Sequence, residues 1–305
     1  MERRSFLFGG LTGVGLGAGV ALASQKLRAA TEDREAPSDS DEAAVKGENP
    51  EASKNQSAEV APSGRVKPEP PPLGPQPPDG RIVSYAQQGE DLVIANVLES
   101  LGIRRPRYLD VGAFHPTIGS NTYLLYSMGA RGVLVEPNPM MTQMLRELRP
   151  QDTILEAGVG IDEQRSAPYY LIRDRPQLNT FSKEQVDRYR AEQGREVVEQ
   201  TLDMPLRPIM EIIAEHFADA PPDLVSIDVE GLDLEILRTF DFTRSRPAVF
   251  CVETLRFGTK GLVGGTLDLM REHGYVARGG SFVNTVFVDG KRIDSGDETP
   301  LRRGL

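Results

Sequence analysis

The stretch RYLDVGAFHPTIGSNTYLLYSMGARGVLVEP, residues 107–137, decides the fold. Residues 108–111 are a short β-prone run that leads through Asp110 and Val111 into Gly112 and Ala113. A loop carrying Pro116 and Gly119 follows, then a segment at 122–128 able to form a short helix. Residues 132–135 are a second apolar run, closed by Glu136 and Pro137. Strand, helix and strand in this order are half of a doubly wound α/β fold, whose ligands sit beyond the carboxyl ends of the strands. Asp110–Gly112 falls at the first such end and Glu136 at the second. A glycine there lets a ligand approach the backbone, and an acid ending the second strand is placed to accept hydrogen bonds from a ribose diol.

Outward from this core the alternation continues. Upstream, residues 88–101 carry Leu92, Val93, Val97, Leu98 and Leu101 at helical spacing, with Glu90 and Asp91 in the first turn, where negative charge suits the helix dipole. Downstream, Pro139–Leu148 reads as a helix whose Met140, Met141, Met144, Leu145 and Leu148 form a packing stripe. A third strand at 153–157 is followed by Gly158-Val159-Gly160, either a ligand-bordering corner or a tight turn. Residues 161–206 read as an insertion over the sheet: β-prone Ser166–Ile172 and 197–202 surround Asn179, Thr180, Ser182 and a polar helix at Lys183–Gln193. Those polar residues either face a substrate, or Asn179 and Ser182 cap the helix. Helices at 207–217, 232–240 and 265–273 then alternate with strands at 223–227 and 247–252, which end on Asp228, Glu230 and Gly231 and on Glu253 and Thr254. Segments 275–277 and 284–288 suggest a closing antiparallel pair.

A net charge of −10 without a dense basic stripe argues against a nucleic-acid partner. The single cysteine, Cys251, lies in an apolar run and reads as a buried strand thiol. His115, His216 and His273 are too scattered for a zinc site, and no spacing demands a metal, although Asp228 and Glu253 end neighbouring runs that one could bridge.

Residues 1–23 place Arg3-Arg4 before Ser5-Phe6-Leu7 and an uncharged Gly-rich run, a twin-arginine-type signal or a membrane anchor. The expected location is therefore periplasmic or extracellular, with the cytoplasm as the alternative. Residues 24–80, acid-rich and then proline-rich, form a linker without apolar periodicity. The folded domain spans 81–290 and a polar tail 291–305.

YLDVGAFHPTIGSNTYLL, then VEPNP, then DLVSIDVEGLDLEILRTF resembles the FkbM-type family of S-adenosylmethionine-dependent methyltransferases, and the lead-in SYAQQGEDLVIANVL is similar to that of many members. The resemblance implies an α/β fold with a Rossmann-like seven-stranded sheet, mostly parallel with its last strand reversed, and helices on both faces. It implies S-adenosyl-L-methionine as cofactor and O-methylation of a sugar, glycan or secondary-metabolite hydroxyl. Asp110, Gly112, Ala113, Glu136 and Gly158 are then the donor-binding candidates. Asp228 and Glu230 are the base or acceptor-orienting candidates, with His115 behind them. Gln87, Glu90 or Asp91 could also reach the donor. A different class of reading is a non-catalytic exported module binding a nucleotide or sugar on the same fold. A dinucleotide oxidoreductase is disfavoured, because the first loop is DVGAFHP rather than G-x-G-x-x-G.

Overall fold

The computed structural model describes residues 83–255 and 261–293. The signal or anchor at 1–23, the linker at 24–80 and nearly all of the tail lie outside the described residues. Among those described, no helix is long and apolar enough to cross a membrane.

After helix α1 (Glu90–Ser100), the chain lays down β1 (Arg107–Val111), α2 (Tyr123–Ser127), β2 (Arg131–Val135), α3 (Pro139–Leu148) and β3 (Thr153–Leu155). It then leaves the sheet for a subdomain built from β4 (Gly158–Gly160), β5 (Ser166–Ile172), α4 (Lys183–Gln193) and β6 (Val198–Pro208). It returns through α5 (Ile209–His216) to β7 (Leu224–Ile227), α6 (Asp233–Arg238), β8 (Val249–Glu253), α7 (Gly264–Glu272), β9 (Tyr275–Gly280), β10 (Asn284–Asp289) and α8 (Gly290–Ile293). The main sheet has seven strands in the order β3-β2-β1-β7-β8-β10-β9. β10 runs antiparallel to both neighbours and lies between β8 and β9. This is the expected Rossmann-like methyltransferase sheet with its last strand reversed.

The central strands are continuous apolar runs because helices cover both faces. Leu109, Val111, Val133, Val135, Val225 and Ile227 pack on one side against Ile209, Ile212 and Ile236. Tyr108, Leu134, Leu224 and Cys251 pack on the other against Ile94, Leu98, Leu125 and Leu145. The α3 stripe is narrower than the sequence suggests: Met141 and Leu145 are buried, whereas Met140 and Leu148 are 58% and 53% exposed.

One buried ion pair ties the first half of the sheet together. Arg149, 0% exposed, donates from Nε to Asp152 Oδ2 at 2.8 Å, from Nη1 to Thr122 Oγ1 at 3.1 Å and from Nη2 to the Tyr108 hydroxyl at 2.9 Å. Asp152 also accepts the Gly132 amide at 2.8 Å. A strand on β1, a strand on β2 and the entry to α2 therefore share one satisfied network.

The subdomain is a three-stranded sheet in the order β4-β6-β5, with α4 packed through Val186 and Tyr189 onto Ile172 and Val197. Two boundaries differ from expectation. Gly158–Gly160 is a strand, paired in parallel with Leu206–Pro208, and not a turn. β6 extends to Pro208, so Arg207 belongs to the strand and α5 begins only at Ile209. Ser182 does cap α4, accepting from the Gln185 amide at 3.3 Å. Asn179 does not; it accepts the Ile172 amide at 2.7 Å instead.

Candidate functional site

The chain moves outward from β1 to β3 and then crosses back to β7 on the other flank of β1. The strand order reverses there, and the carboxyl ends of β1 and β7 diverge into a cleft. A cavity open to solvent occupies it. Gly112 and Phe114 line it just past β1, Glu136 just past β2, Gly158 from β4, and Asp228 and Glu230 just past β7; Tyr169, Asn179 and Phe181 of the subdomain close over it.

Gly112 is fixed by its neighbours. Its φ is +83°, and a Cβ there would lie 1.9 Å from the Asp228 carbonyl oxygen, so no other residue fits between β1 and β7. Gly158 is equally confined, since a Cβ would lie 2.5 Å from the Phe181 ring. Phe181 and Tyr169, with ring centroids 4.7 Å apart, make an aromatic wall.

Glu136 is 3% exposed. Its Oε2 accepts the Phe114 amide at 2.8 Å and its Oε1 the Asn138 amide at 2.7 Å. Burial, aided by the nearby Asp110 charge, pushes its carboxyl up to about 7 in spite of those two donors. To reach Glu136, Phe114 takes a left-handed φ of 49°. Glu230, with φ 57°, is the second non-glycine residue in that region to line the cavity. Strain of this kind persists where surrounding bonds impose it. Here Thr180 Oγ1 donates to the Glu230 carbonyl at 3.1 Å, while Asp233 accepts the Val229 and Gly231 amides at 2.9 and 3.1 Å.

Carboxyl groups gather on the β7 side. Asp228, Asp233 and Glu253 each place an oxygen within 4.8 Å of the other two, an arrangement able to hold a divalent cation. Burial raises them all, and nearby carboxylates add to it: Asp228, near Asp110 and Glu90, goes up to about 6, Asp233, near Asp228, to about 7, and Glu253, near Asp228, Asp233 and Glu230, to about 11. Glu230 lies well above the usual carboxylate range for the same reasons. Among the described residues no Lys, Arg or His lines the cavity.

The Methyltransferase FkbM domain model matches residues 110–277, more than half of the chain. The chain belongs to the FkbM methyltransferase family. Among solved structures, the FkbM methyltransferase from Methylobacillus flagellatus is 15% identical with a TM-score of 0.36, over 60% of this chain and 44% of that one. The chain thus spans less than half of that protein's length. A precorrin-6y C5,15-methyltransferase from Geobacter metallireducens is 14% identical with a TM-score of 0.36, over 69% of this chain and 94% of that one. A 1,6-didemethyltoxoflavin-N1-methyltransferase from Burkholderia thailandensis, solved with S-adenosylhomocysteine, is 10% identical with a TM-score of 0.31, over 66% and 77%. No curated protein matches significantly.

In this FkbM domain five of the eight residues singled out in the sequence meet at the cavity: Gly112, Glu136, Gly158, Asp228 and Glu230. Three do not. Asp110 faces the opposite side of β1, where the Thr122 hydroxyl donates to it at 2.5 Å. Ala113 packs into the core beneath α1 and α2, and its amide donates to the Val135 carbonyl at 3.2 Å. His115 turns into its own loop, where Nδ1 accepts the Thr117 and Ile118 amides at 3.2 and 3.0 Å. Burial also lowers its basicity. Glu90 and Asp91 are fully buried away from the lining: Asp91 holds Ser84 and the Tyr85 amide, and Glu90 accepts the Ser281 hydroxyl. Phe114, Tyr169, Phe181 and Asp233 were not anticipated. Of these only Asp233 had a local signal, an acid at the start of a helix.

Proposed function

We propose that this FkbM domain binds S-adenosyl-L-methionine in the cleft between β1 and β7 and transfers its methyl group to a hydroxyl of a sugar, glycan or secondary metabolite. The observation that carries the reading is the lining of the cavity: the carboxyl groups of Glu136, Asp228 and Glu230 line it, and among the described residues no cationic side chain does. Such a lining suits a sulfonium cation. Among the described residues it offers no cation to the pyrophosphate of a dinucleotide, which favours positive potential. Glu136 stands at the end of β2, where a ribose diol is held in this fold class. The Tyr169–Phe181 wall suits a flat purine.

Bound there, the donor supplies an activated methyl group on a positively charged sulfur. The protein's share is to orient the acceptor, to exclude water beneath the subdomain and to take the hydroxyl proton. Asp228, held near 6, is ionised at neutral pH yet more basic than an ordinary aspartate. Glu230, pushed well above the usual carboxylate range by burial and the neighbouring Asp228 and Asp233, stands two residues on and is placed to hydrogen-bond to the acceptor.

Calorimetry on the full chain with S-adenosylmethionine and with NAD tests the reading. Saturable binding of the first and none of the second is expected; NAD binding alone would sink it. Glu136→Ala weakens donor binding if Glu136 holds the ribose. Screening sugars and glycans for a donor-dependent methyl ether then tests the O-methylation. Export through residues 1–23 belongs to the same proposal, and replacement of Arg3 and Arg4 by Lys should retain the protein in the cytoplasm.

A further inference from the structure

The subdomain contains seven arginines. Four are paired with carboxylates: Arg165 with Glu211, Arg188 with Glu184, Arg190 with Asp187 and Glu196, and Arg207 with Glu215. The other three, Arg173, Arg175 and Arg195, are exposed and have no carboxylate partner among the described residues. In a chain with 45 acidic and 35 basic residues, partners are not scarce. All three unpaired arginines line the same second cavity, open to solvent between the end of β5 and the end of α4. Among the described residues Glu192 is the only acidic side chain in that lining, so the described wall carries a net charge of +2 (three arginines less one glutamate).

This cavity adjoins the first. A single 3₁₀ turn, Pro176–Leu178, divides them. Pro176 and Gln177 face the methyl-donor side, while Arg175 and Leu178 face the arginine side. Tyr189 lines the second cavity, and its phenol stands beside the Glu230 carboxyl of the first. A molecule lying across the turn would place one end at the acidic cleft and the other among the guanidinium groups.

We propose that the second cavity binds an oxyanion carried by the methyl acceptor, a carboxylate or sulfate on a sugar, so that the acceptor is an acidic glycan. The assignment rests on the methyl-transfer reading for the word acceptor, and on the arginines alone for the oxyanion. Guanidinium forks match planar and tetrahedral oxyanions through paired hydrogen bonds, and an unpaired fork beside an otherwise paired set is free to do so.

The test is calorimetry on the full chain. The probes are a galacturonate trimer, its methyl ester, a sulfated tetrasaccharide and inorganic phosphate, with S-adenosylmethionine titrated in parallel. Wild type should bind the trimer or the sulfated sugar saturably, and the neutral ester about tenfold more weakly or worse. The Arg173→Ala, Arg175→Ala, Arg195→Ala triple variant should lose about tenfold or more in affinity for the acidic sugar. The corresponding triple Lys variant, which keeps the charge, should lose less, and donor binding should be unchanged in both. Equal binding of acid and ester, equal binding by wild type and the triple Ala variant, or no binding of either acidic sugar overturns the proposal. Binding of free phosphate alone overturns the link to the acceptor. Loss of donor binding in wild type would count against the methyltransferase reading and leave the oxyanion site to be judged by its own titrations.

Discussion

Glu136 makes a measurable link between the site and stability. Its carboxyl rises from 4.5 to about 7 on folding. The folded protein therefore binds a proton more tightly here than the unfolded chain does. The resulting stabilisation is fully present below the unfolded value and is lost as pH rises through about 7. At about 1.36 kcal/mol per unit, the shift makes wild type about 3 kcal/mol less stable at pH ~8 than at pH ~4 through this group alone. Glu136→Gln removes the titration. It also leaves one of the Phe114 and Asn138 amides without an acceptor, a penalty of about 1–3 kcal/mol that does not depend on pH. The difference between wild type and variant separates the two effects. Urea unfolding of both proteins across this range should give a gap in free energy that changes by about 3 kcal/mol in favour of the variant as pH rises. Curves that stay parallel across the range would show that the buried carboxyl is not the titrating group and that the site does not hold its charge at a cost.

Three further perturbations address neighbouring parts. Gly112→Ala forces a Cβ into the Asp228 carbonyl at a positive φ and should cost about 3 kcal/mol or more in urea unfolding; a loss under about 1 kcal/mol would mean that β1 and β7 can separate freely. Arg149→Ala leaves Asp152 buried and uncompensated and should cost about 3–5 kcal/mol, whereas near-neutral behaviour would show that the network is dispensable. Once an acceptor is in hand, wild-type turnover should rise as pH passes through about 6, where Asp228 loses its proton. Asp228→Asn should abolish that limb and lower turnover by about 10²–10⁴-fold with donor affinity kept; an unchanged pH profile places the base elsewhere.

Much of this was readable in the chain because the main sheet is local in its signals. Each central strand is a short apolar run, and each ends on a glycine or acid where the fold class puts its ligands. That is why Gly112, Glu136, Asp228 and Glu230 reach one cavity from segments far apart in sequence. Asp110 shows a signal that was present but outweighed by the motif. Side chains alternate along a strand, and Val111 lines the cavity, so Asp110 has to face the other way.

Gly158 and Gly160 show the limit of local reading. Two glycines around a valine are a turn signal when judged by backbone freedom alone. In the folded chain Gly158 is small because Phe181, from beyond β5, lies against it, and Leu206, at the end of β6, flanks it. Neither neighbour is near in sequence. The strand exists because β6 runs back alongside it, pairing Gly158 with Leu206 and Gly160 with Pro208. The same return strand carries the subdomain over the cleft and brings Tyr169 and Phe181 to its roof. The aromatic wall and the arginine cavity behind it are therefore products of one long-range pairing, and it is in this covering layer that acceptor choice should be sought by mutation.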